Sequence, residues 1–229
     1  MSLRLDWCSY EAAKYACEKW HYSKCVPKSK LVKIGVWENE IFIGCVIFGV
    51  GATHDLVKQY GLDAIEGCEL VRVALNKHEY PVTKIISISI KMLKRANPGL
   101  KLIVSFADPE QNHMGIIYQA GNWVFNGTSS ASDEYIYKGK RWQGRSFRHK
   151  YKGMEHHPAV KIVKGSSKYR YLYPLTDDMR SKIEPLRKPY PKRASVVHTV
   201  EQPANQQGEG GSIPTLTHTA TGKEPVRVE

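Results

Sequence analysis

The chain has 229 residues, 41% hydrophobic and 24% charged, an ordinary soluble composition with room for one good-sized core and a tail. Its longest apolar run, Ile41 to Val50, contains two glycines and is too short to span a bilayer, and Met1 to Asp6 lacks the apolar stretch of a signal peptide, so a cytoplasmic protein with no membrane partner is expected. A net charge of +12 favours a polyanion, nucleic acid above all, as partner.

Ser9 to Trp20 reads as a helix, with Ser9 as N-cap and Ala13, Ala16, Cys17 and Trp20 on one stripe. After a loop carrying Pro27, the apolar runs Leu31 to Glu38 and Ile41 to Val50 are separated by Asn39-Glu40, which is hairpin spacing. A short helix over Asp55 to Tyr60 would be stopped by Gly61, and Glu69 to Leu75 is a strand. Pro81 to Ala96 is ambiguous, because Ile86, Ile88 and Ile90 alternate as in a strand while Val82, Ile85, Ile86, Ser89 and Leu93 make a helical stripe. Its length, Pro81 at the start and Pro98-Gly99 at the end favour the helix.

Lys101 to Ala107 reads as a buried strand, Asn112 as the cap of a helix through Ala120, and Trp123 to Gly127 with Glu134 to Lys138 as a closing pair of strands. Tyr169, Tyr171 and Tyr173 alternate as one face of a strand. The fold class is therefore α/β (α+β), a mixed central sheet with flanking helices. Residues 1–184 would form the catalytic domain, and 185–229, rich in Pro, Gly, Gln, Thr and Ser, a disordered tail.

Ligands of such sheets lie beyond the carboxyl ends of the strands. There Asn76 to Tyr80, Asp108-Pro109 and the helix carrying Tyr118 converge. From Lys138 to Lys152 the chain holds Lys138, Lys140, Arg141, Arg145, Arg148, Lys150 and Lys152 with no acidic residue among them, interleaved with Trp142, Phe147 and Tyr151. Such cations suit phosphates, and the rings suit stacking on unpaired bases. Arg72 is a further candidate phosphate contact; in a regular strand, Glu69 and Arg72 would point to opposite faces. The five cysteines (8, 17, 25, 45 and 68) form no CxxC and read as free thiols. As metal donors, His21 with Cys25 and the vicinal His156-His157 suit iron or zinc, but neither completes a ligand set.

The strand–helix–strand–helix unit resembles the acyl-CoA-binding half of the GNAT acetyltransferase fold through Asn112, Tyr118 and Gly121-Asn122-Trp123. It departs from that fold at the phosphate loop, where Asn76 to Pro81 contains no glycine. The chain also resembles the Mom family of DNA-modification proteins of Mu-like phages. The carrying residues are Trp20-His21-Tyr22-Ser23 with Pro27, Gly35-Val36-Trp37-Glu38, Cys68 to Leu75, Ser105-Phe106-Ala107-Asp108-Pro109 and Ile117 to Trp123.

The resemblance implies a transferase that converts adenine N6 in double-stranded DNA to a methylcarbamoyl derivative, on an extruded base, masking phage DNA from restriction. It implies acetyl-CoA as cofactor, contacted by Val73, Leu75, Lys77 and Asn112. Asp108 would take a proton from the amine, Tyr118 would donate to a leaving thiolate, and His21 and Tyr22 would place or stack the base. Arg72, Arg141, Trp142, Arg145 and Arg148 would hold DNA. Simple acyl transfer does not give a methylene-linked amide, so a further nitrogen source or rearrangement is required. An ordinary N-acetyltransferase and a DNA-binding protein without catalysis are the rival readings.

Overall fold

The computed structural model describes residues 2–51 and 55–192, the Arg145 side chain excepted. The chain opens on a strand, β1 (Leu3–Trp7), pairing antiparallel with β2 (Leu31–Glu38). Between them runs α1 (Tyr10–Trp20), started by Ser9, whose hydroxyl accepts the Ala12 N–H at 3.1 Å, and burying Ala13, Ala16 and Cys17 as the stripe predicts. β2 turns into β3 (Ile41–Gly49) through Asn39 and Glu40, both in the left-handed region (φ 49° and 64°). Two such residues make the turn whose twist matches that of the strands.

β4 (Gly67–Leu75) follows, then α2 (Val82–Ala96), which buries Ile85, Ile86, Ser89, Ile90 and Leu93. The helical reading of this ambiguous segment holds. Ser89, a polar residue on the buried stripe, is satisfied by donating to the Ile85 carbonyl at 2.9 Å. β5 (Leu102–Ala107) then lies parallel to β4, and it is the one parallel pairing among the strands described.

After β5 the expected helix from Asn112 is not formed. Asp108 instead caps a single 3-10 turn, Pro109–Gln111, and Asn112 ends that turn in the left-handed region (φ 55°). α3 (Ile116–Ala120) begins after Gly115 (φ 72°), where a Cβ would lie 2.3 Å from the Tyr171 ring. β6 (Val124–Thr128) and β7 (Asp133–Tyr137) are both strands but not partners. β6 edges the main sheet beside β10 (Tyr169–Pro174), which inserts between it and β5. β7 is the centre of a separate antiparallel sheet with β8 (Lys140–Gln143) and β9 (Lys161–Lys164), covered by α4 (Gly144–Lys150).

The main sheet thus runs β1-β2-β3-β4-β5-β10-β6. On one face α2 and α3 close a core that includes Val46, Phe48, Leu70 and Ile103. On the other, α1 covers Cys45, Ile47 and Ala74, and α5 (Asp177–Ile183) covers Leu102, Val104 and Leu172. Residues 185–192, expected as the start of the tail, run beside β6. There the Lys188 N–H donates to the Phe125 carbonyl (2.9 Å) and the Tyr190 hydroxyl to the Trp123 carbonyl (2.7 Å). The remainder of the expected tail, from 193, lies outside the described residues.

Candidate active site

β4 and β5 pair only from Gly67–Leu102 to Leu70–Ser105. Beyond that point β4 stays with β3 and β5 stays with β10, so the two strands part and leave a wedge in the middle of the sheet. A cleft of about 510 Å³ fills the wedge. Val71 and Val73 form one wall, Phe106 and Ala107 the other, and the end of α1 with Asn112 to Ile117 closes the mouth. This is the carboxyl-end position the strand order predicts, and its size suits a small ligand.

β4 carries an irregularity here. Ile47 pairs with Arg72 and Phe48 with Leu70, so Val71 is an extra residue, a β-bulge. Before the bulge Cys68 and Leu70 face the α2 core; after it Val73 and Leu75 do. The bulge therefore sets Glu69 and Arg72 on the same face, opposite to the alternation expected of a regular strand. Arg72 Nη1 donates to the Val71 carbonyl at 2.7 Å, while its Nε is buried without a hydrogen-bond partner.

His21 follows the last turn of α1 and is 9% exposed. Its Nδ1 accepts the Ser23 backbone N–H at 3.1 Å and lies 2.8 Å from the Ser23 hydroxyl, so the ring proton sits on Nε2. Burial, then the Arg72 cation, then His113 and Lys24, push its pKa down to about 4. At neutral pH the imidazole is uncharged and its Nε2 is a donor. The Tyr22 ring, 45% exposed, lies 4.4 Å from the His21 ring and 5.1 Å edge-on from His113. His113 was missed from sequence, because nothing in its neighbourhood marks it until the turn after β5 folds it onto Tyr22.

Tyr118 lines the floor and is 7% exposed, packed against Trp123 and Tyr171. Its hydroxyl is 2.7 Å from Ser105 Oγ, which is also 2.8 Å from the Leu70 carbonyl. A carbonyl only accepts, so the serine proton goes to Leu70 and the phenol donates to Ser105. Burial pushes the phenol up to about 12. Its proton is thus engaged beneath the cleft rather than aimed at a ligand, which differs from the donor role expected of it.

Asp108 is not among the residues lining the cleft. Its carboxylate accepts the Glu110 N–H (3.1 Å) and the Ser166 hydroxyl (3.4 Å), and pairs with Lys168 at 3.4 Å. It holds the turn that carries Asn112 to Gly115, one wall of the cleft. Of the expected cofactor contacts, Val73 and Asn112 line the cleft, Leu75 packs into the α2 core, and Lys77 is exposed on the β4–α2 turn. In that turn the Asn76 N–H donates to the Ile43 carbonyl, and the Glu79 and Tyr80 N–H groups donate to the buried Glu38 carboxylate at 3.0–3.2 Å.

The basic segment is the small sheet. Arg141 is ion-paired with Glu134 across the β7–β8 hairpin and with Glu110 at 3.5 Å. It is therefore not a free phosphate ligand; the sequence run has no acid within it, but the fold brings two to its side. Trp142 is half-buried: Tyr151 meets it edge-on at 5.4 Å, and the Lys140 and Lys150 ammonium groups lie 4.6 and 5.0 Å from its ring. It belongs to the small sheet's aromatic cluster with Tyr135, Phe147 and Tyr151, which corrects the expectation of an open stacking face. Arg148 is exposed and donates to the Tyr135 hydroxyl at 3.3 Å. Arg145 lies in α4, and its side chain is outside the description.

All five cysteines are free. Among the described residues no three His, Cys, Asp or Glu side chains come together to hold a metal ion, and no helix is long and apolar enough to cross a membrane. His21 and Cys25 lie on a loop rather than a helix, and the His157 Nδ1 accepts the Ala159 N–H.

By coordinates the chain is similar to an aminoglycoside N-acetyltransferase (TM-score 0.46, 10% identical, covering 76% of this chain and 98% of that one). It is also similar to a probable acetyltransferase from Staphylococcus epidermidis (TM-score 0.44, 6% identical, 76% and 100%). By sequence it is 23% identical over 134 residues to the methylcarbamoylase mom of Escherichia phage Mu, covering 57% of this chain and 56% of that protein. The chain thus matches little more than half the length of that curated relative. Residues 2–192 match the Mom protein family, and the chain belongs to that family.

Proposed function

We propose that this protein is a transferase that modifies the exocyclic amine of adenine in DNA, giving an N6-methylcarbamoyl adenine that blocks restriction. The observation that carries the reading is family membership over residues 2–192. The geometry of the wedge supports it. The adenine amine lies inside a stacked duplex, so the base must leave the helix to react. The Tyr22 and His113 rings and the exposed Ile116 line the cleft mouth and offer apolar surfaces on which an extruded base can rest.

Inside the mouth, the His21 Nε2–H is a neutral donor in a half-dry, electropositive setting beside Arg72. Such a donor favours an oxygen of the transferred group, such as its amide carbonyl, while the new bond to the amine forms at the neighbouring methylene carbon. His21 is therefore assigned to hold and polarise the transferred group, Tyr22 to stack the base, and Tyr118 and Asp108 to keep the floor and wall in place. The β4–α2 turn is a poor fit for coenzyme A, since the Glu79 and Tyr80 N–H groups are already bonded to the Glu38 carboxylate and Asn76 to Pro81 contains no glycine.

The test is mass spectrometry of nucleosides from DNA of cells expressing the protein. A new adenosine adduct of methylcarbamoyl mass, lost in Tyr22→Ala and His21→Phe variants that still fold, is the expected result. DNA with no adduct in a competent host would sink the reading and leave an N-acetyltransferase of other amines or a DNA-binding protein.

A further inference from the structure

The turn between β4 and α2 brings backbone N–H groups to the start of a long helix, an arrangement that attracts an anion. Here the anion comes from within the chain. Glu38, the last residue of β2, is 8% exposed, and its Oε1 accepts the Glu79 N–H at 3.2 Å and the Tyr80 N–H at 3.0 Å, while Oε2 accepts the Glu79 N–H at 3.0 Å. Of the flanking residues, Asn76 gives its N–H to the Ile43 carbonyl at 2.8 Å, and Pro81 has none to give. No glycine in Asn76 to Pro81 lets another backbone or a phosphate approach more closely.

We infer that Glu38 is a built-in anion that fills the place where a diphosphate would sit, so that this transferase takes its donor group from a small molecule carrying no nucleotide diphosphate. Two effects act together. The carboxylate holds the two N–H groups next to the helix start, those of Glu79 and Tyr80, and its charge, buried beside them, repels a second anion. The β4–β5 wedge, whose walls are Val71, Val73, Phe106 and Ala107, is then left to bind the donor by its reacting end alone. The inference rests on the proposed function only in taking the chain to be a transferase.

The experiment follows the backbone amide resonances of Glu79 and Tyr80 in isotope-labelled full-length protein. Coenzyme A and inorganic pyrophosphate are titrated separately to millimolar concentration, with calorimetry alongside. In the wild type both amides are expected to stay unmoved by either compound. In Glu38→Ala, checked for fold by circular dichroism, the freed amides are expected to shift with pyrophosphate, binding it about tenfold or more tightly, the scale of charge-assisted hydrogen bonds released. Glu38→Gln, which keeps an acceptor and drops the charge, should respond in the same direction and serves if the alanine variant does not fold. Wild-type amides that move with coenzyme A would overturn the inference. So would a folded Glu38 variant that stays as silent as the wild type, since Glu38 would then not be what excludes the anion. Neither outcome touches the nucleoside adduct assay, so failure here is distinct from failure of the proposed function.

Discussion

At His21 two environments oppose a charge, burial first and the Arg72 cation second, and together they hold the imidazole near pKa 4 against an ordinary 6.5. The unfolded chain therefore takes up a proton that the folded chain refuses between these values. Stability contributed by the neutral ring is full above about pH 6.5 and falls as pH drops toward 4, by about 3 kcal/mol at most. His21→Phe should flatten the stability–pH curve in that window, as read by urea unfolding at several pH values; an unchanged slope would mean the ring titrates freely. Tyr118 makes a second residue-level prediction. Its phenol donates to a serine that keeps its own bond to Leu70, so Tyr118→Phe should cost about 1 kcal/mol and lower adduct formation less than about tenfold. A loss of about a hundredfold or more with stability intact would restore a proton-donor role. The residue types His21, Tyr22 and Tyr118 were legible in the sequence as cleft residues, and all three line the wedge. Their roles were not, because a role depends on hydrogen bonds made to Ser23 and Ser105, and no pattern of spacing reports those.

Among the elements, α1, the β2–β3 hairpin, β4, α2 and β5 could be read from periodicity, caps and turn spacing, since each buries one continuous face. The segment after β5 could not. Its Asn112 looks like a helix cap, yet the chain first makes a 3-10 turn capped by Asp108 and reaches α3 only past Gly115. The pairing of β6 was misjudged for a different reason: its partner, β10, is distant in sequence, and local order favours the nearer β7. The turn after β5 gives a test at this scale. Asp108→Asn keeps a side-chain cap and loses the Lys168 pair; Asp108→Ala loses both. If the residue holds the cleft wall, adduct formation should fall clearly more in the alanine variant than in the asparagine variant, with the alanine variant about 1 kcal/mol less stable. Equal abolition in both, with stability preserved, would instead require the negative charge itself.

Across the whole molecule the excess of 34 basic over 22 acidic residues was legible as a bias toward polyanions, but not which cations are free. The fold spends some of them: Arg141 on Glu134 and Glu110, Lys164 on Asp133, Lys168 on Asp108. Lys150 and Lys152 remain exposed on the small sheet's helix and the turn after it. If this sheet meets the phosphate backbone, replacing both with Ala should weaken binding alike on unrelated duplexes and reduce the slope of log affinity against log salt by about 1.8, roughly 0.9 per contact. Arg141→Ala should change that slope far less, its charge being already matched. Fluorescence anisotropy over a salt series reads both, and a double lysine variant with the wild-type slope would move the DNA surface elsewhere.

Val71 acts on β4 as a phase slip. A single residue inserted out of step lets one strand turn the same side toward α2 at both ends while swinging Arg72 to the side of α1 and His21. Keeping Val71 but flattening the bulge would restore strict alternation and carry Arg72 into the apolar side, where an unpaired guanidinium is costly, whereas deleting Val71 would leave Glu69 and Arg72 two residues apart on one face. A strand flattened with Val71 in place would slip or fray instead, and the imidazole, relieved of that cation, would titrate closer to its ordinary range. A residue added to or taken from β4 away from the bulge should accordingly be far less tolerated than one in the turn that follows it, because it would turn one end of the strand over.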